Sequence, residues 1–273
     1  MRQPDGLCRV AGVWLLAVGM GVAQVTPPAC PVRPGDPPVS AAARAARPTA
    51  EQINATAAAA AADPTMMLAA EPMANFGTQR FRLEDYAECV GSSGCYWADL
   101  DAQTQRAEAA LDRVIATAKA GEKLAMVLDI DETSLSSFCE LRREDYGFLL
   151  DPYNKWLVSP DAALAIPGTL RLFNQARAAG VDVFFITGRA EEMTDATARN
   201  LTAAGYQGWK GLALRKGPQK AMATVEYKSQ ERRKIVDAGY RIVMSMGDQW
   251  SDLNGDPKAE VSVKLPNPFY YLP

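Results

Sequence analysis

The sequence predicts a doubly wound α/β domain, a parallel sheet with helices on both faces, carrying a small cap inserted after its first strand. Three observations support this. Short apolar runs without charge recur through the second half of the chain and alternate with segments of helical apolar periodicity, the pattern of strands buried on both faces. Each main run ends in hydroxyl or charged residues, and in open α/β sheets ligands bind beyond the carboxyl ends of the strands. Residues 134–167 interrupt the alternation directly after the first strand.

In chain order, Arg2 and Arg9 precede an apolar, uncharged run over residues 10–23 that is short for a membrane span. Small residues follow, so a secretory signal peptide over residues 1–23, cleaved near Ala23, is expected. Cys30 follows Thr26, Pro27, Pro28 and Ala29 rather than a leucine-containing lipobox, so a lipid anchor is not expected. Residues 24–76 are rich in Ala and Pro and offer few large side chains to bury; they read as a linker without order. The ordered domain is placed at residues 77–273. After signal removal Cys30, Cys89, Cys95 and Cys139 remain, an even set for an oxidising compartment. Cys89 and Cys95 bracket VGSSG, flexible enough for a local disulfide, with free thiols as the alternative. A Cys30–Cys139 bridge is an open alternative, reached only by elimination.

Asp101 can cap a helix whose positions Ala107, Leu111, Val114, Ile115 and Ala118 keep the 3.6-residue period up to Gly121. The strand over 124–128 then runs into Asp129 and Asp131. Residues i and i+2 of an extended chain point the same way, so the two carboxylates share a side. The inserted segment 134–167 carries Phe138, Tyr146, Phe148, Tyr153 and Trp156; these either pack over the sheet edge or form a cap covering Asp129. A helix through Leu172, Phe173 and Ala176 follows, then a strand over 181–187, a helix from Glu191 to near Gly205, a short strand over 212–214, a helix from Ser229 to Gly239, and a strand over 241–246.

With 273 residues, a net charge of −3 and a pI near 5.2, the chain can bury a sizeable core and has no polycationic surface, so no nucleic acid polymer is expected as partner. It contains no histidine. Ser-His-Asp and Cys-His catalysis, histidine-bound metals and phosphohistidine chemistry are thereby excluded. What remains is chemistry by carboxylates, Lys, Arg, hydroxyls or a metal held by oxygen. The strand ends supply such a set: Asp129 and Asp131, then Thr187, Gly188 and Arg189, then Lys228, then Asp248 and Asp252. Carboxylates, a hydroxyl and fixed cations suit a hard cation and a phosphoryl group.

DIDET after a strand, ITGR, a lysine and GDQWSDL, in that order, resemble the four motifs of the haloacid dehalogenase (HAD) superfamily of phosphohydrolases. FFITGRAEEMTDATARNL, EYKSQERRKIVDAGYRIV and KLPNPFYYLP bring the resemblance closer to its acid phosphatase branch, which includes plant vegetative storage proteins and the bacterial class B and class C acid phosphatases. It spans roughly residues 80–273. It implies the HAD-like, three-layer, Rossmann-like version of the doubly wound sheet. It also implies Asp129 as nucleophile, Asp131 as general acid and then base, and Thr187 and Gly188 on the phosphoryl group. Lys228 would balance charge between Asp129 and phosphate. Mg²⁺ would be held by Asp129, the Asp131 backbone carbonyl and Asp248, with Asp252 as direct or indirect support.

Arg189 either binds substrate or braces the sheet edge. Lys216 and Lys220 are rivals of Lys228, Glu132 reads as structural, and Trp250 as packing. Some storage members have lost the nucleophilic aspartate; here Asp129 is present. The expectation is an exported Mg²⁺-dependent acid phosphatase acting on a small phosphate monoester, free of the membrane after signal removal. The alternatives are a non-catalytic storage or binding protein of the same fold, or a phosphotransferase or 5′-nucleotidase.

Overall fold

The computed structural model describes residues 26–31, 47–70, 72–92 and 94–272, so the expected signal peptide lies outside the described residues. Structure begins earlier than composition implies. Helix α1 (Ala50–Ala61) forms inside the Ala/Pro-rich stretch. It starts with a reciprocal cap: Thr49 Oγ1 accepts from the Gln52 N–H, and Gln52 Oε1 accepts from the Thr49 N–H. Beyond Ala50 every residue of α1 except Ile53 is exposed, so no apolar face docks it. Its first turn does. The buried Asp85 carboxylate accepts from the Ala50 N–H at 2.7 Å and from Arg47 at 2.6 Å. Asp85 lies on α2 (Phe76–Ala87). A search for buriable apolar area passes over a helix fastened at one end by a carboxylate.

The Cys89–Cys95 disulfide leads into α3 (Tyr96–Ile115), which starts at Tyr96 rather than Asp101 and ends before Gly121. Its buried stripe includes Leu100, Ala107 and Leu111. Strand β1 (Lys123–Leu128) follows. The inserted segment folds into α4 (Phe138–Arg143) and α5 (Leu150–Leu157), and Cys139 on α4 is bonded to Cys30. The alternation then resumes with α6 (Pro167–Ala178), β2 (Asp182–Ala190), α7 (Thr194–Ala203) and β3 (Gly211–Arg215). It finishes with α8 (Thr224–Asp237), β4 (Tyr240–Gly247), α9 (Trp250–Leu253) and β5 (Val261–Lys264). Helix α8 begins at Thr224, ahead of the expected Ser229, so Lys228 sits on its second turn rather than at its start. Strand β5 was not expected: four residues with Val261 and Val263 alternating are too short to distinguish from loop.

The described strands form one parallel sheet in the order β3-β2-β1-β4-β5. Side chains alternate along β1, and both faces are covered. Leu124, Met126 and Leu128 pack in a core with Leu111 of α3 and Phe173 of α6; Ala125 and Val127 pack on the other face with Tyr227 and Ile235 of α8. Helices α3 and α6 meet closely because residue 168 lacks a side chain, where a Cβ would collide with Thr104 Oγ1. No helix among the described residues is long and apolar enough to cross a membrane.

This order places the site. The chain steps from β1 outward to β2 and β3, then crosses back to β4 on the far side of β1. Strand β1 therefore borders the switch in direction, and the crevice opens at the carboxyl ends of β1 and β4.

Asp85→Ala would remove the acceptor shared by Ala50 and Arg47. The expected outcome is a loss of about 1–3 kcal/mol in urea unfolding together with early proteolytic cleavage in α1; unchanged stability and protection would show that something else docks the helix.

Candidate active site

The two acidic residues after β1 are positioned differently. Asp129 remains tied to the neighbouring strand, its N–H donating to Met246 O at 3.0 Å. The chain then folds into a tight turn in which Ser134 and Leu135 N–H groups both donate to Ile130 O at 2.8 Å, and Ser134 Oγ donates to Asp129 O at 2.6 Å. Glu132 has φ 53°, uncommon for a residue with a side chain. Its buried carboxylate accepts from the Ser137 N–H at 2.6 Å, the Ser137 hydroxyl at 2.7 Å and the Tyr270 hydroxyl at 2.7 Å. Burial pushes its carboxyl up to about 8, against the hydrogen bonds from Tyr270 and Ser137. Glu132 thus ties the turn to the cap and to the C-terminal segment, in keeping with the structural role expected of it.

Below the turn, Lys228 projects from α8 between two carboxylates. Its Nζ lies 2.5 Å from Asp129 Oδ1 and also bonds Asp252 Oδ1, and all three side chains are buried. Burial works against the ammonium, but the charges of Asp129 and Asp252 prevail and raise its pKa. Asp252 Oδ2 accepts from the Gln249 N–H at 2.8 Å, so both of its oxygens are engaged. Asp248 is equally buried; its Oδ2 accepts from Gln249 Nε2 and Asn267 Nδ2, each at 2.7 Å, and its Oδ1 from Thr133 Oγ1 at 3.2 Å.

Oxygens of Asp129, Asp248 and Asp252 lie within 4.8 Å of one another. One ammonium does not neutralise three clustered carboxylates. Burial first, then the neighbouring carboxylates, push Asp129 well above the usual range and Asp248 up to about 6. An all-oxygen donor set with surplus negative charge fits a hard divalent cation such as Mg²⁺.

The third motif lies at the end of β2, where the register against β3 shifts between Ile186 and Ala190. The irregularity falls on Thr187, Gly188 and Arg189, a common use of a bulge beside a site. Gly188 faces the cavity, where an added Cβ would meet nothing within 4 Å. Thr187 is fully buried; its Oγ1 accepts from the Arg189 N–H at 3.2 Å. Arg189 grips Asp131, with Nη2 on Oδ1 at 2.6 Å and Nε on Oδ2 at 3.1 Å, while Nη1 donates to Thr197 at 3.2 Å. All three guanidinium nitrogens meet protein partners, and Arg189 also lines the cavity. Lys220 pairs with Glu191 and Glu192 at the surface, and neither it nor the exposed Lys216 lines the cavity.

The cavity above these groups has a volume of about 450 Å³. Its floor holds Asp129, Asp131, Lys228, Asp248 and Asp252, and its wall is mainly apolar, with Phe148, Leu150, Tyr153, Leu157, Met193 and Tyr270 beside the polar Asn154, Arg189 and Arg215. The two readings of the cap aromatics divide by residue. Phe138, Tyr146 and Trp156 are buried in the core, whereas Phe148 and Tyr153 line the cavity and Phe148 stacks on Tyr270 with centroids 4.6 Å apart. Trp250, expected to pack, is 59% exposed, with Lys264 over its ring. Sequence reasoning missed Thr133, Gln249, Asn267 and Tyr270. The one available signal was an asparagine fixed between Pro266 and Pro268.

The family model described as HAD superfamily, subfamily IIIB (Acid phosphatase) matches residues 47–273. Acid phosphatase 1 of Solanum lycopersicum is 38% identical over 149 residues, 54% of this chain and 58% of that protein. Vegetative storage protein 1 of Arabidopsis thaliana is 37% identical over 150 residues, 54% of this chain and 55% of that one. The chain thus spans little more than half the length of these curated relatives. Among solved structures, the Class C acid phosphatase from Bacillus anthracis aligns with a TM-score of 0.56 at 24% identity, over 71% of this chain and 85% of that one, a likeness of fold.

Lys228→Met would leave buried carboxylates without their shared counter-charge. Metal-free protein is expected to lose about 3–5 kcal/mol at neutral pH in urea unfolding, with added Mg²⁺ recovering part of the loss; wild-type stability would contradict the central place given to this ammonium.

Proposed function

The chain belongs to subfamily IIIB of the HAD superfamily, the acid phosphatases, and on that premise we propose that it is an exported, Mg²⁺-dependent phosphatase that hydrolyses phosphate monoesters through an aspartyl-phosphate. One observation supports this above all others: Asp129, Asp131, Lys228, Asp248 and Asp252 converge at the floor of one cavity.

Asp129 is the nucleophile. Lys228 occupies its Oδ1, and no protein donor among the described residues reaches Oδ2, which is left to attack phosphorus. As the new O–P bond forms, the bond from phosphorus to the leaving oxygen breaks, and Asp131 delivers a proton to that oxygen. Water then attacks phosphorus, Asp131 takes its proton, and the Asp129–phosphorus bond breaks to release phosphate and restore the carboxylate. Arg189 holds Asp131 in place between these steps through the bonds described above. Thr187 already accepts from the Arg189 N–H, which leaves its own proton for a phosphoryl oxygen, and the Gly188 N–H contributes beside it. The Lys228 charge works against the burial that raises Asp129, favouring its ionised form, and would offset charge on the phosphoryl group.

Asp129, the Asp131 backbone carbonyl and Asp248 would hold Mg²⁺. Asp252, which holds Lys228 and accepts from the Gln249 N–H, would give the cation direct or indirect support while orienting the lysine. The cation, when bound, neutralises phosphoryl oxygens so that an anionic nucleophile can approach. Export is supported by the Cys30–Cys139 and Cys89–Cys95 disulfides, which persist in an oxidising compartment.

Similarity to vegetative storage proteins supports a second reading, a non-catalytic storage protein of the same fold. The presence and placement of Asp129 argue against it, and a single assay separates the two. Purified protein is expected to release phosphate from an aryl phosphate with Mg²⁺ and to stop in EDTA. Asp129→Asn should fall to background and Asp131→Asn should lose about 10²–10⁴-fold in kcat. Activity indifferent to EDTA, or retained in Asp129→Asn, would sink the mechanism; a wild-type protein that binds Mg²⁺ without turnover would favour storage.

A further inference from the structure

The segment after β5 returns across the site and fastens both loops at which the cation would sit. The Leu265 N–H donates to Gly247 O at 2.9 Å, bringing the chain back to the end of β4. Asn267 follows, held between two prolines whose rings restrict the backbone on either side. Its side-chain amide makes bonds at both ends. Oδ1 accepts from the Phe269 N–H at 2.8 Å and the Tyr270 N–H at 3.4 Å, which directs Nδ2 at Asp248 Oδ2, 2.7 Å away. Two neighbouring backbone donors can be met only by the oxygen, so the network itself settles which way the amide points.

The other attachments of the segment are equally specific. Phe269 is buried and meets the Tyr96 ring edge-on at 5.1 Å between centroids. The Tyr270 hydroxyl donates to Glu132, the neighbour of Asp131. The Leu272 N–H donates to Gln249 Oε1 at 3.2 Å, and Gln249 Nε2 in turn donates to Asp248 Oδ2.

We infer that Asn267 is a positioning residue that selects the metal-facing oxygen of Asp248, and that the segment 265–272 sets the cation affinity of the site; this rests on the metal-dependent reading above. Two amide donors saturate Oδ2. Oδ1, touched among the described residues only by the longer 3.2 Å bond from Thr133, is then the oxygen presented to the cation. Groups that orient a ligand in this way carry a characteristic cost when removed, about 10–100-fold in metal affinity. Since the same segment supplies Tyr270 to the cavity wall, cation site and substrate wall are held by one stretch of chain.

The test is calorimetric titration of the full chain with Mg²⁺, paired with thermal unfolding with and without the metal. Asn267→Ala is expected to bind Mg²⁺ about 10–100-fold more weakly, and the upward shift of its melting temperature on adding Mg²⁺ should shrink. Loss of packing alone would lower the metal-free melting temperature and leave the titration unchanged. Asn267→Ser covers the case in which the alanine variant fails to fold: its hydroxyl can still accept from the following N–H groups but is too short to reach Asp248, and the same weakening is expected. Wild-type affinity in either folded variant overturns the inference. A wild-type chain that shows no Mg²⁺ binding overturns instead the reading on which it rests.

Discussion

A single buried ammonium among carboxylates is the constraint on which the site depends. Lys228 holds Asp129 on one side and Asp252 on the other, all three side chains buried at the floor of the cavity. Burying several carboxylates together is costly unless charge is returned to them, and Lys228 returns only part of it. Burial first, and then the uncompensated carboxylates, push Asp129 and Asp248 upward in pKa, and the surplus negative charge fits a divalent cation. The same shortage of positive charge would repel an anionic phosphoryl group until a cation is bound. Stability and chemistry meet here: an arrangement that is electrostatically incomplete in the protein alone is completed by what it binds.

The sheet makes this juxtaposition possible. Asp129 and Asp248 are more than a hundred residues apart, but β1 and β4 are neighbours, and the direction of the chain switches beside β1. The bulged end of β2 then turns Gly188 to the cavity and holds Arg189 where it can grip Asp131. The cap supplies Phe148 and Tyr153 to the wall, and Glu132 links the cap to the turn beneath it through Ser137. Strands β1, β2 and β4 contribute functional groups at their carboxyl ends, and α8 adds Lys228 between them.

The alternation of apolar runs with periodic segments made β1, β2 and β4 legible in the sequence, because a strand buried on both faces must be apolar throughout. The motif residues were legible for a related reason: they follow those runs directly. What stayed hidden lacks such a pattern. Helix α1 docks by capping onto Asp85 rather than by an apolar face, β5 is a short edge strand, and α8 begins at Thr224 without a side-chain cap to mark it. Asn267, Gln249 and Thr133 matter because of contacts made across the fold, and nothing in their local sequence shows that they converge on Asp248. Arg189 admits two readings from its place in the sequence, since a guanidinium after a strand serves substrate and scaffold equally well, and in the structure it both holds Asp131 and lines the cavity.

The central claim is that Asp129 forms a covalent bond to phosphorus. Its most direct measurement is to quench the enzyme in acid during turnover with Mg²⁺ and an aryl phosphate, reduce the acyl phosphate with borohydride, and map the modified residue by mass spectrometry. The account requires conversion of Asp129 to homoserine, dependent on substrate and absent with EDTA. Turnover with an unmodified Asp129, or with the label on another residue, would contradict it.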